Sequence, residues 1–234
     1  MVELQSDGQN GHRERYETRE HDVLIIGAGG AGLRAAVAAA EHGLSVGIVT
    51  KSLLGKAHTV MAEGGIAAAL ANVDDRDDWR VHFADTMRGG QYVNNWRMAE
   101  LHAREAPDRV RELEAWGATF DRTPDGRILQ RNFGGHKYPR LAHVGDRTGL
   151  EMIRTLQDRG VHPGIDVHME CAVVRLLADG GRIAGALAFD RDRGRSAARP
   201  SQSGGTGQTP CQSARPRRRK PGPGRRRCTP TSCS

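Results

Sequence analysis

Three features of the sequence predict an α/β fold. An apolar run, Val23-Leu-Ile-Ile26, enters a glycine-rich turn; an alanine-rich stretch follows it; and two strand-patterned segments flank a turn at Asp179-Gly-Gly181. Large apolar residues without polar alternation mark a strand buried on both faces of a parallel sheet. The stretch Leu33 to His42 is mostly alanine, a strong helix former whose small side chain lets a helix lie close on a sheet, and Gly43 supplies the stop. Ser45 to Thr50 gives the second strand, so the three pieces form one Rossmann-like unit on a parallel sheet. Asp166 to Leu177 and Arg182 to Asp190 read as the strands of a β-meander.

The middle of the chain is helical. Asp77 to Met87, Asn95 to Glu105 and Pro107 to Trp116 are predicted as three helices, the last with proline near its start, Val110, Leu113 and Trp116 on one face, and Gly117 as stop. Helical spacing assigns Trp79, Trp96 and Trp116 to packing. Asp125-Gly126 is a hairpin turn signal, and Asp146 to Arg159 is a helix with Thr148 or Asp146 as its cap.

Charge divides the chain at about residue 195. The 234 residues carry a formal net charge of +7, yet residues 195–234 alone hold nine Arg, one Lys and no acidic residue, which leaves the rest three charges negative. That segment also contains six of the ten prolines, Cys211, Cys228 and Cys233, and no Val, Ile, Leu, Met, Phe, Trp or Tyr, so it has nothing with which to build a core. Residues 1–20 and 195–234 are therefore expected to be disordered, with the folded domain at 21–194. Three readings of the basic tail compete: an arm for nucleic acid, a cysteine metal site, and a translated wrong reading frame. The cysteine spacings lack the paired C-x2-C of zinc sites, so no metal is expected. The Arg217 to Lys220 run has no aromatic or helical scaffold to present it, so no nucleic-acid partner is expected. The abrupt loss of hydrophobics after Asp190 favours the frame error. The Val23 to Ala40 stretch is broken by four glycines and Arg34, which excludes a transmembrane helix, and the polar first twenty residues are not a signal peptide.

Gly27, Gly29 and Gly32 form G-x-G-x-x-G, with Ala28, Gly30 and Ala31 between them, in the strand–turn–helix setting that gives the motif meaning. The first glycine permits the tight turn, the second admits a pyrophosphate to the backbone, and the third lets helix and strand pack. The helix N-terminus then offers unbonded N–H groups to the phosphates. The motif alone indicates a dinucleotide. Thr50, Lys51 and Ser52 stand where an acidic ribose ligand is usual, which leaves NADP open at this level.

The segment Lys51-Ser-Leu-Leu-Gly-Lys-Ala-His58-Thr-Val-Met-Ala-Glu63-Gly-Gly65, followed by Asp85-Thr-Met, Arg127-Ile-Leu-Gln-Arg-Asn-Phe133-Gly-Gly135 and Asp146-Arg-Thr-Gly149, resembles the flavoprotein subunit of succinate dehydrogenase and fumarate reductase over about residues 22–190. The resemblance implies FAD as cofactor, its pyrophosphate on the glycine turn, and Thr50, Lys51 and Ser52 closing the second strand. It places His58 as the histidine bonded covalently to the flavin 8α carbon. Such a link raises the flavin potential and so favours hydride abstraction from succinate. Thr59, Ala62, Glu63, Gly64 and Gly65 would wrap the flavin ring, and Val173 would meet the adenine through its backbone. Phe133 and Gly134 would border the dicarboxylate, with a core position for Phe133 the competing reading. Glu63 leaves the direction of reaction open. An iron–sulfur subunit, membrane anchor subunits, a cytoplasmic site on the inner face of the membrane and a place in the tricarboxylic acid cycle and electron transport are implied in the same way.

The family's chain is much longer. It returns to the sheet through an Ala-Thr-Gly-Gly strand and then supplies the proton-transfer arginine and the carboxylate grips, none of which occurs here. The chain is thus expected to carry the flavin half of an active site, with no catalytic acid or base, to be inactive alone, and to be poorly folded beyond about residue 190. Two alternatives stand beside this reading: a non-enzymatic basic-tailed binding protein, and an L-aspartate oxidase-like flavoenzyme, from which His58 is the discriminator.

Overall fold

The computed structural model describes residues 17–161 and 164–200. Strand β1 (Glu17–His21) leads into β2 (Val23–Ile26), helix α1 (Gly30–Glu41) and β3 (Val46–Val49). β2 and β3 are parallel, and β7 (Asp166–His168) adds to β3 in the same sense, giving a three-stranded parallel sheet in the order β2-β3-β7. All four residues of β3, the central strand, are buried, as its uniform apolarity predicts. α1 presents Leu33, Ala36 and Val37 inward. Its approach requires Gly32: a Cβ there would lie 2.0 Å from the Gly27 carbonyl oxygen.

The crossover from β3 to β7, residues 50–165, holds about half of the chain. It contains α2 (Trp79–Gly89), α3 (Trp96–Ala115), a small antiparallel sheet of β4 (Ile66–Ala67), β5 (Gln130–Arg131) and β6 (Leu141–Ala142) in the order β4-β6-β5, and α4 (Thr148–Val161). α2 and α3 are capped by Asp78 and Asn95, whose side chains each accept from two backbone N–H groups of the first turn. After β7 come β8 (Cys171–Asp179), β9 (Arg182–Asp190) and β10 (Gly194–Pro200), an antiparallel meander whose outer strand pairs in parallel with β1. The main core draws on α1, β3, α3 and α4, with Leu33, Ile48, Val110, Ile153 and Leu156 at its centre. Among the described residues no helix is long and apolar enough to cross a membrane.

Several expectations need correction. Residues 17–20 and 195–200, assigned to disordered ends, are strands: β10 pairs with β9 from Gly194 to Ala198 and with β1 from Ser196 to Pro200. Backbone ladders need no large hydrophobics, so composition hid them. For the same reason the fold does not end at residue 190. The remainder of both segments, 1–16 and 201–234, with Cys211, Cys228, Cys233 and the Arg217 to Lys220 run, lies outside the described residues.

The two helices expected on either side of Glu105 are one, α3, with Pro107 inside it. An interior proline forfeits a hydrogen bond and costs roughly 3 kcal/mol. The unbroken buried stripe of Ala99, Ala103, Ala106, Val110 and Leu113 offsets that cost. The strand expected over Asp166 to Leu177 is two, because the chain leaves the parallel sheet for the meander between them, and Glu170 at φ +54° makes the bend. Thr148 does not cap α4 in the expected way: its hydroxyl accepts from the Val144 N–H, which lies before the helix. Trp96 is 52% exposed rather than packed, while the Trp116 ring lies between Arg34 and Arg159 and packs on the core. The hairpin at Asp125-Gly126 is as expected, with Gly126 at φ +83° and Arg122 bridged to Ile128.

Candidate cofactor site

β2 delivers the chain to the carboxyl edge of the parallel sheet, where Gly27 turns it at φ +108°. The Gly27 N–H donates to the Val49 carbonyl at 2.8 Å, which ties the turn to the end of β3. α1 starts at Gly30 with Gly29 as an N-cap that offers no side-chain acceptor. Its first helical bond runs from Leu33 N to the Gly29 carbonyl, so the N–H groups of Ala31 and Gly32 precede the helical ladder. Gly30 N–H donates to the Thr59 hydroxyl at 3.1 Å. A helix start of this kind carries partial positive charge and donors toward an anion.

Four segments meet around a cleft of about 660 Å³: Ile26–Gly29, Val49–Ser52, Lys56–Met61 and Cys171–Val173. That size is usual for a small-molecule site. The cleft brings together Gly27, Ala28, Gly29, Thr50, Lys51, Ser52, His58, Thr59 and Val173 of the expected set. His58 opens a 3-10 turn, His58–Met61, and is exposed to the cleft. Thr50 is buried, donates its N–H to the His168 carbonyl and accepts from Cys171 N–H, and these bonds bring the start of β8 beside the end of β3.

Other expected residues lie around the cleft rather than in its lining. Gly32 faces Gly27 and serves packing, and Gly30 is held by Thr59. Ala62, Glu63, Gly64 and Gly65 continue the strap that begins at His58. The strap ends at Gly65, whose φ is +119° and where a Cβ would lie 2.9 Å from the Ala142 carbonyl oxygen. Phe133 is 58% exposed, which removes its core reading, and its ring lies 3.7 Å from where a Gly64 side chain would start. Asn132 to His136, including Gly134, line a second open hollow of about 310 Å³.

Sequence reasoning missed several lining residues. Lys56, Val60 and Met61 stand inside the Lys51 to Gly65 segment without an assigned role, and Cys171 stands in no motif; its thiol is pushed up by burial and then by Asp190.

Behind the Phe133 loop lies a buried ionic cluster of which only Asp85, in the Asp85-Thr-Met motif, is marked in the sequence. Arg140 is fully buried; it donates to Asp77 at 2.7 Å and approaches Asp85 at 3.0 Å. Asp85 also accepts from the Lys137 N–H at 2.8 Å and from Arg88, so it anchors the loop that carries Phe133 and Gly134. Burial pushes the Asp77 carboxyl up to about 6 despite Arg140. Burial, followed by the charge of Arg140, pushes the neighbouring His82 down to about 4, and the same causes lower His136.

With this geometry in place, the sequence matches the FAD binding domain family over residues 22–230. The chain belongs to that family. Its relatives include the fumarate reductase (CoM/CoB) of Methanothermobacter marburgensis, one subunit of which is 48% identical over 172 residues, covering 73% of this chain and 31% of the relative. The succinate dehydrogenase flavoprotein subunit of Rickettsia bellii is 38% identical over 181 residues, covering 74% and 30%. Among solved structures, the Mycobacterium smegmatis Sdh1 complex in the apo form matches with a TM-score of 0.76 and 58% identity over 79% of this chain and 33% of that one. The chain therefore spans about a third of the length of these relatives.

FAD is the family's cofactor, and the residues here fit it. A Cβ at Gly29 would meet only the Thr59 hydroxyl at 3.4 Å and the Ala57 methyl at 3.9 Å, which leaves the backbone approachable by a pyrophosphate. The leading N–H groups of α1 supply donors to the phosphates. The apolar walls Val60, Met61 and Val173 suit flat ring systems.

Proposed function

We propose that this chain supplies the FAD-binding part of an enzyme that interconverts succinate and fumarate. The carrying observation is the cleft itself. Residues scattered from Gly27 to Val173 converge on it, and His58 stands on its rim, exposed, on a short turn rather than in a core. In this reading Gly27, Ala28, Gly29 and the first turn of α1 hold the pyrophosphate. Thr50, Lys51, Ser52 and the Val173 backbone bind the adenosine half. The strap from His58 to Gly65 lies along the flavin, with His58 bonded to its 8α carbon. When bound, FAD supplies a two-electron acceptor for the hydride exchanged with the dicarboxylate.

The chain's own residues bind and orient. Lys51 and Lys56 add positive charge beside the phosphates, the Thr59 hydroxyl holds the helix start, and Phe133 and Gly134 border the side on which substrate would lie. The dicarboxylate, membrane anchor subunits and an iron–sulfur subunit are the partners of this reading, and the inner face of the membrane is its location. Support comes from the relatives' names: a fumarate reductase, a succinate dehydrogenase flavoprotein subunit, and an Sdh1 complex.

The test of the covalent link is flavin fluorescence on a denaturing gel. The native His58 protein should retain a fluorescent band, and His58→Ala should bind FAD yet lose all of it on denaturation. Covalent flavin persisting in His58→Ala would falsify the assignment.

A further inference from the structure

Two of the family-like motifs, Arg127 to Gly135 and Asp146 to Gly149, each contain a residue that does not line the cleft and yet grips its rim. We propose that Gly149 and Arg131 are positioning residues that fix the strap of residues 58–65 in the path it needs to receive the flavin. The proposal rests on the FAD reading of the cleft.

Gly149 lies at the start of α4, directly under the 3-10 turn that begins with His58. Its N–H donates to the Ala62 carbonyl at 2.8 Å. A Cβ at this position would lie 2.0 Å from the Thr59 carbonyl oxygen and 3.0 Å from the Ala62 N. Those atoms are backbone and cannot swing aside, so any larger residue has to push the turn outward, away from α4 and into the cleft. Gly149 shows no left-handed backbone angle, and the requirement is therefore one of space. The same turn is held from its other side, where Gly30 N–H donates to the Thr59 hydroxyl. His58 thus rides on a turn clamped between the starts of two helices.

Arg131 does the corresponding work at the far end of the strap. Its Nε donates to the Gly64 carbonyl at 2.8 Å and its second terminal nitrogen donates to the Glu63 carbonyl. A guanidinium makes this two-point grip with fixed geometry, and an ammonium does not. Arg131 is itself placed by the small sheet, where it pairs with Leu141, and its remaining nitrogen meets Asp146 at 2.9 Å. Asp146 is 79% exposed on its side chain, so that last pair adds little. The two grips fall on Thr59 and Ala62 at one end and on Glu63 and Gly64 at the other. Between them they fix the stretch that would pack along the flavin, while the residues making the grips stay outside the cleft.

The experiment uses the 234-residue chain with Gly149→Ala, Arg131→Lys and Arg131→Ala, and Gly89→Ala as control, a site where an added methyl meets nothing within 4 Å. FAD affinity is read from quenching of flavin fluorescence. Hydrogen exchange over residues 57–65 is read in the absence of FAD. Gly149→Ala and Arg131→Ala should each weaken FAD binding by about tenfold or more. They should also raise exchange in the strap while leaving β2, β3 and the second half of α1 as in the parent, a selectivity that general destabilisation does not produce. Arg131→Lys should fall between, and Gly89→Ala should match the parent. Should Gly149→Ala fail to fold, Arg131→Lys and Arg131→Ala carry the test. Variants that keep both the parent's FAD affinity and its strap protection, beside a parent that binds FAD, overturn this proposal alone. A parent that binds no FAD overturns the cofactor reading first, and this proposal with it.

Discussion

The cofactor cleft and the cluster around Arg140 both gather residues from distant parts of the chain, but by opposite means. The cleft is made of backbone: glycines at 27, 29 and 32, the leading N–H groups of a helix, and a strap held through its carbonyls. The cluster is made of side-chain charge, with Arg140, Asp77 and Asp85 all nearly inaccessible and His82 against them. Backbone work leaves a written trace, because only glycine satisfies it and the glycines must keep their spacing. Charge work leaves little: Asp85 falls in a motif, but Asp77 and Arg140 are 63 residues apart and each looks like an ordinary surface residue in the sequence.

The two regions should therefore break differently. The largest effect is expected at Gly32→Ala, which would place a methyl 2.0 Å from the Gly27 carbonyl oxygen. Neither partner is a flexible side chain, so helix and strand must separate. The expected outcome, checked by circular dichroism and thermal melting, is loss of a cooperative transition. A parent-like melt would show that the turn has slack the geometry denies.

Arg140→Ala comes next. It strands two buried carboxylates, and breaking a buried pair from one side costs about 3–5 kcal/mol. Urea unfolding should show that loss, and Lys137 and its neighbours should become susceptible to limited proteolysis because Asp85 loses its place. A loss under about 1 kcal/mol would mean that the cluster relaxes into water.

A smaller and more selective effect concerns pH. His82, held near 4, binds its proton more readily in the unfolded chain, so its contribution is present above its ordinary value of about 6.5 and is lost as pH falls toward 4. Asp77, held near 6, has the reverse sign: its contribution is present below its ordinary value and is lost as pH rises through 6. The two oppose each other between about pH 4 and pH 6. His82→Leu should make stability fall with rising pH across that window relative to the parent, and Asp77→Asn should make it rise, each by up to about 1.4 kcal/mol per pH unit. Urea midpoints at pH 4.5 and pH 6 give the slopes; identical slopes in all three proteins would show that neither group titrates as its surroundings require.

The same contrast explains what the sequence disclosed. The strand–helix–strand unit, its glycine turn and the approach of Thr50 to Ser52, His58 and Val173 were legible, because each rests on local backbone requirements or on a motif kept in order. The helix through Pro107 was not, because a buried alanine stripe overrides a local breaker. Nor was the break at Met169–Glu170, where the chain changes sheets inside what reads as one apolar strand. β1 and β10 were misassigned because a parallel ladder between polar segments has no compositional signature. Lys56, Met61 and Gly149 stand within or beside recognisable motifs, and only the fold shows what they face.

The most direct test of the central claim is FAD titration of the 234-residue chain beside Gly29→Val, with thermal melting of both. A Cβ at Gly29 would meet only side chains, the Thr59 hydroxyl at 3.4 Å and the Ala57 methyl at 3.9 Å, so a branched side chain there enters the space proposed for the pyrophosphate without pressing on backbone. Near-equal melting temperatures without cofactor, and FAD binding abolished in the variant, are the expected results. Equal FAD binding by parent and variant would contradict the assignment and move the cofactor away from the start of α1.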